Sequence, residues 1–336
     1  MDYLERSGDS ILYPITDITM TEILSHREEM PKGTSLPFDN FERYMAISDK
    51  ANLVRIAREL KVPIPDTLLS TDHENQQFIL DSASRFGFPL VVKSSVSKIR
   101  TESGWRDAKV HYANDREHLR EILSLEMFRE YPYLIQKRII GPGIGIFLLM
   151  KEGEVLAKFA HRRIREKPPS GGVSVLSESI DVPREAGNAA VRVLEKVGWT
   201  GVAMVEFKID QEENIAKLLE VNARFWGSLQ LSISSGVDFP YLLYRMALGE
   251  RIEPSQGYTV GLRSRWELGD LDHLLIRWLK NPSLSNLPPN PPGKLAVLKE
   301  FICDYFRSSV RNEIFRKDDI KPFFHELKTY AFQLVH

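Results

Sequence analysis

The chain has 336 residues, room for about two domains and a sizeable core. Hydrophobic residues make up 43% and charged residues 27%, and 45 Lys and Arg balance 46 Asp and Glu, for a net charge of −1. That balance gives no electrostatic footprint for nucleic acid or an anionic membrane, and a single cysteine, Cys303, excludes an internal disulfide and any multi-cysteine metal site.

The first residues, Met1-Asp2-Tyr3-Leu4-Glu5-Arg6, lack the basic-then-apolar order of a signal peptide. The most apolar stretch, Ile139 to Met150, has 12 residues with three glycines and a proline, too short to span a bilayer. These features lead to the expectation of a cytoplasmic protein without membrane or nucleic-acid partners.

In chain order, Ser10 to Ile15 reads as a short buried strand and Ile18 to Met30 as a helix. Ser48-Asp49 offers an N-cap for a helix through Leu60, with Leu53, Ile56, Ala57 and Leu60 on one face. Pro63 and Pro65 end it and force an extended run into Thr67. Glu74 to Phe86 is the next helix, closed by Gly87. Phe88-Pro89-Leu90-Val91-Val92-Lys93 reads as a buried strand with a lysine at its end. A helix over Asp115 to Phe128 and a strand over Tyr133 to Lys137 follow.

Phe147 to Met150 and Val155 to His161 make a hairpin around Lys151-Glu152-Gly153. Arg184 to Gly198 is a helix. Val202 to Ile209 and Ile215 to Asn222 are strands joined by the polar turn Asp210-Gln211-Glu212-Glu213-Asn214, and Pro240 to Gly249 is a helix. Asn281 to Gly293 carries five prolines and reads as an extended connector. Beyond it, aromatic stripes such as Phe301, Tyr305 and Phe306, then Phe323, Phe324 and Tyr330, predict helices packed on the body, a dimer contact being the alternative use. Alternating helices and mixed strands give an α+β class.

Chemistry concentrates on the hairpin 202–222. A register centred on Glu213 sets Glu206 opposite Glu220, about 5 Å apart, where their repulsion is roughly 3 kcal/mol at an effective dielectric of 20. Burial among Met204, Phe207, Leu218 and Val221 would drive a proton onto one of them unless a cation is present. Two carboxylates and the Asn222 amide are hard ligands suited to Mg²⁺, and Arg224 lies one step further along the same face. A solvated hairpin face bearing ordinary surface charges is the plainer reading.

Lys93 ends an apolar strand, which points its ammonium to a cleft or, more plainly, to solvent. Lys50 sits in a first helical turn, where a cation opposes the dipole. Gln136-Lys137-Arg138-Ile139 closes a strand in a way that suits adenine recognition by main-chain groups. The glycines of Gly141-Pro142-Gly143-Ile144-Gly145 precede strand residues rather than a helix, which rejects a dinucleotide fingerprint. His161 to Lys167 is a cationic strand end running into a Pro/Gly loop of the kind that lids phosphates; a solvated loop is the alternative.

In this order the motifs resemble the ATP-grasp superfamily of carboxylate ligases. The pieces are Ser48-Asp49-Lys50 with Val62 to Thr67, Phe88 to Lys93, Ile135 to Ile139, and Glu206 followed by Glu220-Val221-Asn222-Ala223-Arg224. The stretch Asn222 to Ser228 looks most like members related to carbamoyl-phosphate synthase large chains.

The resemblance implies an α+β ATP-grasp fold with two lobes gripping ATP. It divides the chain into a shortened N-terminal α/β segment (1–47), an ATP-grasp domain (48–250, lid-like part about 88–137) and a mostly helical extension (251–336, connector 281–293). It implies phosphate binding by Lys50, Lys93 and Arg163, and adenine framing by Gln136, Lys137, Arg138 and Ile139. Glu206, Glu220 and Asn222 would hold Mg²⁺ or Mn²⁺, and Arg224 and Lys93 would serve catalysis. The implied reaction uses ATP to turn a small carboxylate into an acyl phosphate, which an amine-type acceptor attacks. A non-catalytic ATP-binding scaffold and a phosphotransferase are the alternatives.

Overall fold

The computed structural model describes residues 4, 8–72, 75–253, 257–279 and 286–335. Residues 281–285 of the proline-rich connector and Glu74, the expected start of a helix, lie outside them. The chain divides into two units. The first comprises Met1–Lys158, Pro183–Trp226 and Phe239–Pro254; the second comprises Phe159–Val182, Gly227–Asp238 and Ser255–His336. Helices and sheets are mixed throughout, an α+β protein.

In the first unit the helix Lys50–Glu59 begins where Asp49 accepts the Asn52 N–H at 2.9 Å, satisfying one of the orphan donors of the first turn. Its apolar face buries Ala51, Leu53, Val54 and Ala57. Ala51 and Val54 pack with Leu69 and Leu134 of a four-stranded sheet. That sheet runs Thr67–Leu69, Tyr133–Lys137, Leu90–Ser94, His111–Ala113. Its other side is covered by Ile79, Leu80 and Ala83 of the helix Gln76–Ser84 and by Leu119, Ile122 and Leu123 of Arg116–Leu123.

Three further strands of that unit are antiparallel neighbours: Ile215–Asn222, Gly201–Asp210 and Gly143–Lys151, with Gly201–Asp210 in the middle. Every residue from Gly201 to Phe207 is buried, as expected for a strand covered on both faces. Gly141 is required where the chain enters Gly143–Lys151. At φ +151° a Cβ there would lie 1.8 Å from the Ile209 carbonyl oxygen.

The N-terminal segment belongs to this unit through Met20, Leu24, Leu36 and Phe38, all buried. Arg27 donates to the Leu36, Phe38 and Asp39 carbonyls, and Asp39 accepts the Thr200 N–H at 3.1 Å. The expected strand over Ser10 to Ile15 reduces to Ser10–Ile11, parallel to Thr34–Ser35, and the following helix is Asp17–Ser25.

In the second unit, Val173–Ser179 is antiparallel to the end of Glu154–Lys167 and to Arg263–Arg265, which pairs in parallel with Val310–Asn312. Its centre is ionic. Asp270, fully buried, accepts from Arg165 at 2.6 and 2.8 Å and from Arg265 at 2.6 Å. Asp304 accepts from Arg165 at 2.6 Å and Arg307 at 2.5 Å. The Arg265 guanidinium also lies 4.2 and 4.1 Å from the Phe301 and Tyr305 ring centres, cation–π geometry.

Several expectations need correction. The helix expected over Asp115 to Phe128 is two, Arg116–Leu123 and Glu126–Glu130. The hairpin around Gly153 has longer arms, Gly143–Lys151 and Glu154–Lys167. A second hairpin, Lys98–Thr101 with Gly104–Asp107, lies where no element was expected; its polar sequence hides it. In the C-terminal stripe, Ile302, Tyr305 and Phe306 are exposed rather than packed, Phe306 by 84%. Phe301 and Tyr305 meet the Arg265 cation, and Val297 is the buried apolar residue of that helix.

Candidate functional site

Glu206 sits on a strand whose neighbours on both faces are buried and is itself 7% exposed. A carboxylate in that setting is costly without compensation. Its cross-strand partner is Glu220. Nearer the turn the register pairs Asp210 with Ile215 and Phe207 with Leu218, which extrapolates to Leu219 opposite Glu206. A bulge between Glu206 and Phe207 leaves Leu219 without a partner and brings Glu220 into place. The opposition expected from the turn centre is thus achieved through one extra residue.

On the other side of Glu206 the paired residue is Gly145 of Gly143–Lys151. Residues in register share a face. Glu206 therefore has a carboxylate on one flank and no side chain on the other, a glycine placement that marks close approach of a ligand or backbone. This gives the glycines of Gly143-Ile144-Gly145 a use that motif reading misses.

Lys93, the penultimate residue of Leu90–Ser94, reaches the bulge, its Nζ 3.4 Å from the Leu219 carbonyl oxygen. Burial draws its pKa down to about 8; Glu220 and Glu206 pull it up, and Lys50 adds to the fall. Those influences bring Lys93, Glu206, Glu220 and Lys50 into one electrostatic neighbourhood. Lys50 is buried in the first turn of its helix. The Ser94–Ser97 segment fixes it there: Lys50 N–H donates to the Ser95 carbonyl at 2.8 Å, and Nζ donates to Ser97 Oγ at 2.8 Å. Ser95 Oγ in turn donates to the Asp49 cap at 2.5 Å.

Asn222 donates to Glu220 at 3.3 Å and accepts from Arg224 at 3.1 Å. Arg224 is gripped by Asp17, Nε and Nη2 donating to its two carboxylate oxygens at 2.6 and 2.9 Å, and it also donates to the Phe225 carbonyl. Against the cost of burial, hydrogen bonding and charge from Asp17 hold this guanidinium above the ordinary arginine range. Asp17 was not anticipated. It lies 207 residues away, and its only sequence signal is its place in a first helical turn capped by Thr16.

The remaining candidates lie elsewhere. Gln136 is buried and donates to Thr67 Oγ1 at 2.8 Å. The Lys137 N–H goes to the Asp66 carbonyl at 2.9 Å, and its Nζ is 3.4 Å from Glu212. Arg138 stands 4.8 Å over the Tyr112 ring, and Ile139 is buried. Arg163 belongs to the second unit, where it donates to Glu166 and the Gly172 carbonyl, both at 3.0 Å. Its neighbours are similarly engaged: Arg162 with Glu178, Arg165 with Asp270 and Asp304, Lys167 with Asp272.

Glu206, Glu220 and Asn222 suit a divalent cation by charge and chemistry. They supply hard oxygen donors, with Glu206 buried and Glu220 half-buried. Among the described residues no three His, Cys, Asp or Glu side chains form a metal cluster, so this set needs its amide or an incoming ligand as third donor. A cavity of about 250 Å³ opens beside it, with Lys50, Glu220, Asn222, Phe41, Tyr44 and Trp105 among its walls.

Residues 129–267 match the family described as "ATP-grasp in the biosynthetic pathway with Ter operon". The alpha subunit of mitochondrial methylcrotonoyl-CoA carboxylase from Rattus norvegicus is 25% identical over 211 residues, 58% of this chain and 28% of that one. The chain thus spans well under two thirds of that relative.

Among solved structures, the biotin carboxylase domain of 2-oxoglutarate carboxylase from Hydrogenobacter thermophilus, in complex with MgADP, ADP and bicarbonate, superposes with TM-score 0.61. It has 19% identity and covers 77% of this chain and 58% of its own. The D-alanine–D-alanine ligase of Bacillus anthracis, complexed with ATP, gives TM-score 0.54 at 20% identity over 74% of this chain and 83% of its own. No described helix is long and apolar enough to cross a membrane. Residues 129–267 thus resemble an ATP-grasp family, and the chain shares the fold of ATP-grasp proteins.

Proposed function

We propose that this chain is an ATP- and Mg²⁺-dependent carboxylate–amine ligase. The observation that carries the reading is the buried Glu206, set opposite Glu220 by a bulge, with Lys93 and Lys50 in the same neighbourhood. An acidic pair and two buried ammonium groups at one place suit a nucleotide triphosphate with its cation better than they suit a stable core.

In this reading Lys50 and Lys93 meet the phosphates, and the strand end Gln136 to Ile139 frames the adenine. Glu206, Glu220 and Asn222 hold Mg²⁺, which supplies charge neutralisation to the phosphates when bound. A carboxylate oxygen of the substrate attacks the γ-phosphorus as the bond to the β-phosphate oxygen breaks, giving an acyl phosphate and ADP. The amine then attacks the acyl carbon, the carbon–oxygen bond to phosphate breaks, and inorganic phosphate leaves with the amine's surplus proton passing to solvent. Lys93 stabilises the charge on the transferring group. Arg224, steadied by Asp17, keeps Asn222 turned and faces the reacting carboxylate. That the D-alanine–D-alanine ligase structure is complexed with ATP and the carboxylase domain with MgADP and bicarbonate supports a nucleotide-using reading.

The test is ADP release across a panel of carboxylates with amines, comparing the wild type with Glu220→Gln. Turnover that needs both substrates and falls at least a hundredfold in the variant is expected. Substrate-dependent turnover unaffected by the substitution contradicts the assignment.

A further inference from the structure

The cavity beside the carboxylate pair bears on which acid is ligated, an inference that rests on the ligase reading. Lys50, Glu220 and Asn222 are among its lining residues, and Gln136 to Ile139 take no part in its walls. The adenine therefore has no claim on it. What meets there is the phosphoryl end of the nucleotide and the molecule that receives it.

Two properties of the walls narrow that molecule. First, the rings of Phe41, Tyr44, Trp105 and Tyr131 line the cavity together with Met45 and Ile99. Tyr44 and Ile99 are buried, and Phe41, Met45, Trp105 and Tyr131 are half-buried. Rings in this number favour a flat apolar body through area burial and offset or edge contacts.

Second, the wall charges other than Lys50 already have partners. Asp17 is bound to Arg224, Lys98 to Asp107, and Arg100 lies 3.4 Å from Glu22. Glu220 has Asn222 and the nearby Lys93. Lys50 donates to the neutral Ser97 hydroxyl and has no carboxylate within ion-pair distance among the described residues. The cavity thus offers one cation without a protein carboxylate, Lys50, which the ligase reading shares between the γ-phosphate and the carboxylate oxygen that attacks it. A second charged group on the substrate, such as an α-ammonium or a further carboxylate, would be desolvated against rings without a partner.

We propose that the acid substrate is an aryl monocarboxylate, its carboxylate at Lys50 and its ring among Tyr44, Trp105 and Tyr131. The second unit has a polar cavity of about 360 Å³ near Arg311 and Arg316, but Arg316 is paired with Asp318 and nothing there selects a ligand.

Calorimetric titration of the full chain, with Mg²⁺ and a non-hydrolysable ATP analogue present, tests this. The probes are benzoate, 3-phenylpropanoate and indole-3-acetate, against acetate, succinate and glutamate. At least one aryl acid binds tenfold or more tightly than acetate, succinate and glutamate. Trp105→Ala weakens that aryl acid at least tenfold, and Trp105→Phe restores most of the loss. Equal or tighter binding of succinate or glutamate, no binding by any aryl probe, or aryl binding unchanged in Trp105→Ala overturns the proposal. Tight, Trp105-dependent aryl binding upholds it even when no ADP forms with any amine, and that result overturns the ligase reading alone. Turnover confined to succinate or glutamate does the reverse.

Discussion

Asp17 clasps Arg224 through two hydrogen bonds, 2.6 and 2.9 Å, across 207 residues of sequence, so a residue near the N-terminus fixes the arginine that follows the Glu220–Asn222 pair. Asp17→Ala leaves a part-buried guanidinium without its carboxylate. The expected cost is about 1.5–3 kcal/mol, the range for hydrogen bonds to charged groups. The informative readout is rescue: added acetate raises the melting temperature of Asp17→Ala more than that of the wild type, because a small carboxylate can take the vacated place. Equal responses in both proteins argue against an anion-receptive Arg224.

Lys93 should oppose stability while serving function. Its folded pKa of about 8 lies below the ordinary 10.5. A depressed folded value means that its stabilising contribution is present above about pH 10.5 and is lost as pH falls through about 8. At pH 7 the ligand-free Lys93→Met variant should therefore melt higher than the wild type, by up to about 3 kcal/mol at 1.4 kcal/mol per pH unit. The difference should vanish above pH 10.5. The same variant should lose most of the melting-temperature rise that MgATP gives the wild type. A variant that is less stable at pH 7 with its MgATP response intact contradicts both halves.

Gly145 is the test of space beside Glu206. Its backbone is that of an ordinary strand, outside the positive-φ glycines, and strands favour valine. Gly145→Val should keep the ligand-free fold, measured by far-ultraviolet circular dichroism, and abolish the MgATP-dependent rise in melting temperature. Gly145→Ala should fall between. Full MgATP stabilisation in the valine variant would mean that this flank of Glu206 is not used.

Asp270→Asn tests the ionic centre of the second unit. Asp270 receives both Arg165 and Arg265 in full burial, and breaking such a pair costs about 3–5 kcal/mol. Amide hydrogen exchange should quicken across Glu267–Leu279, the helix that carries it. Unchanged protection there would show that apolar packing holds this helix after all.

The parts legible in the sequence are those with local causes. Asp49 announced its helix, Tyr133–Lys137 and Ile215–Asn222 followed from apolar pattern and flanking turns, and Glu206 faced Glu220 because the polar turn set an approximate register. The rest depends on relations that no window of sequence contains. The bulge at Leu219 answers to Lys93 on another strand, and Asp17 looks like any first-turn acid until Arg224 arrives. The run from Arg162 to Lys167 reads as a phosphate surface, yet its charges go to Glu178, Glu166, Asp270, Asp304 and Asp272, spread over distant parts of the second unit. The hairpin bearing Trp105 is polar on nearly every residue, so neither alternation nor composition marks it.

The central claim is transfer of the γ-phosphoryl group to a carboxylate oxygen, and isotope transfer tests it most directly. An acid substrate labelled with ¹⁸O in its carboxylate is turned over with ATP, Mg²⁺ and amine, and the inorganic phosphate is examined by mass spectrometry. The account predicts one ¹⁸O in the phosphate for each molecule ligated, because the carbon–oxygen bond breaks after the oxygen has joined phosphorus. Product formation with unlabelled phosphate, or with the label in AMP, would contradict it.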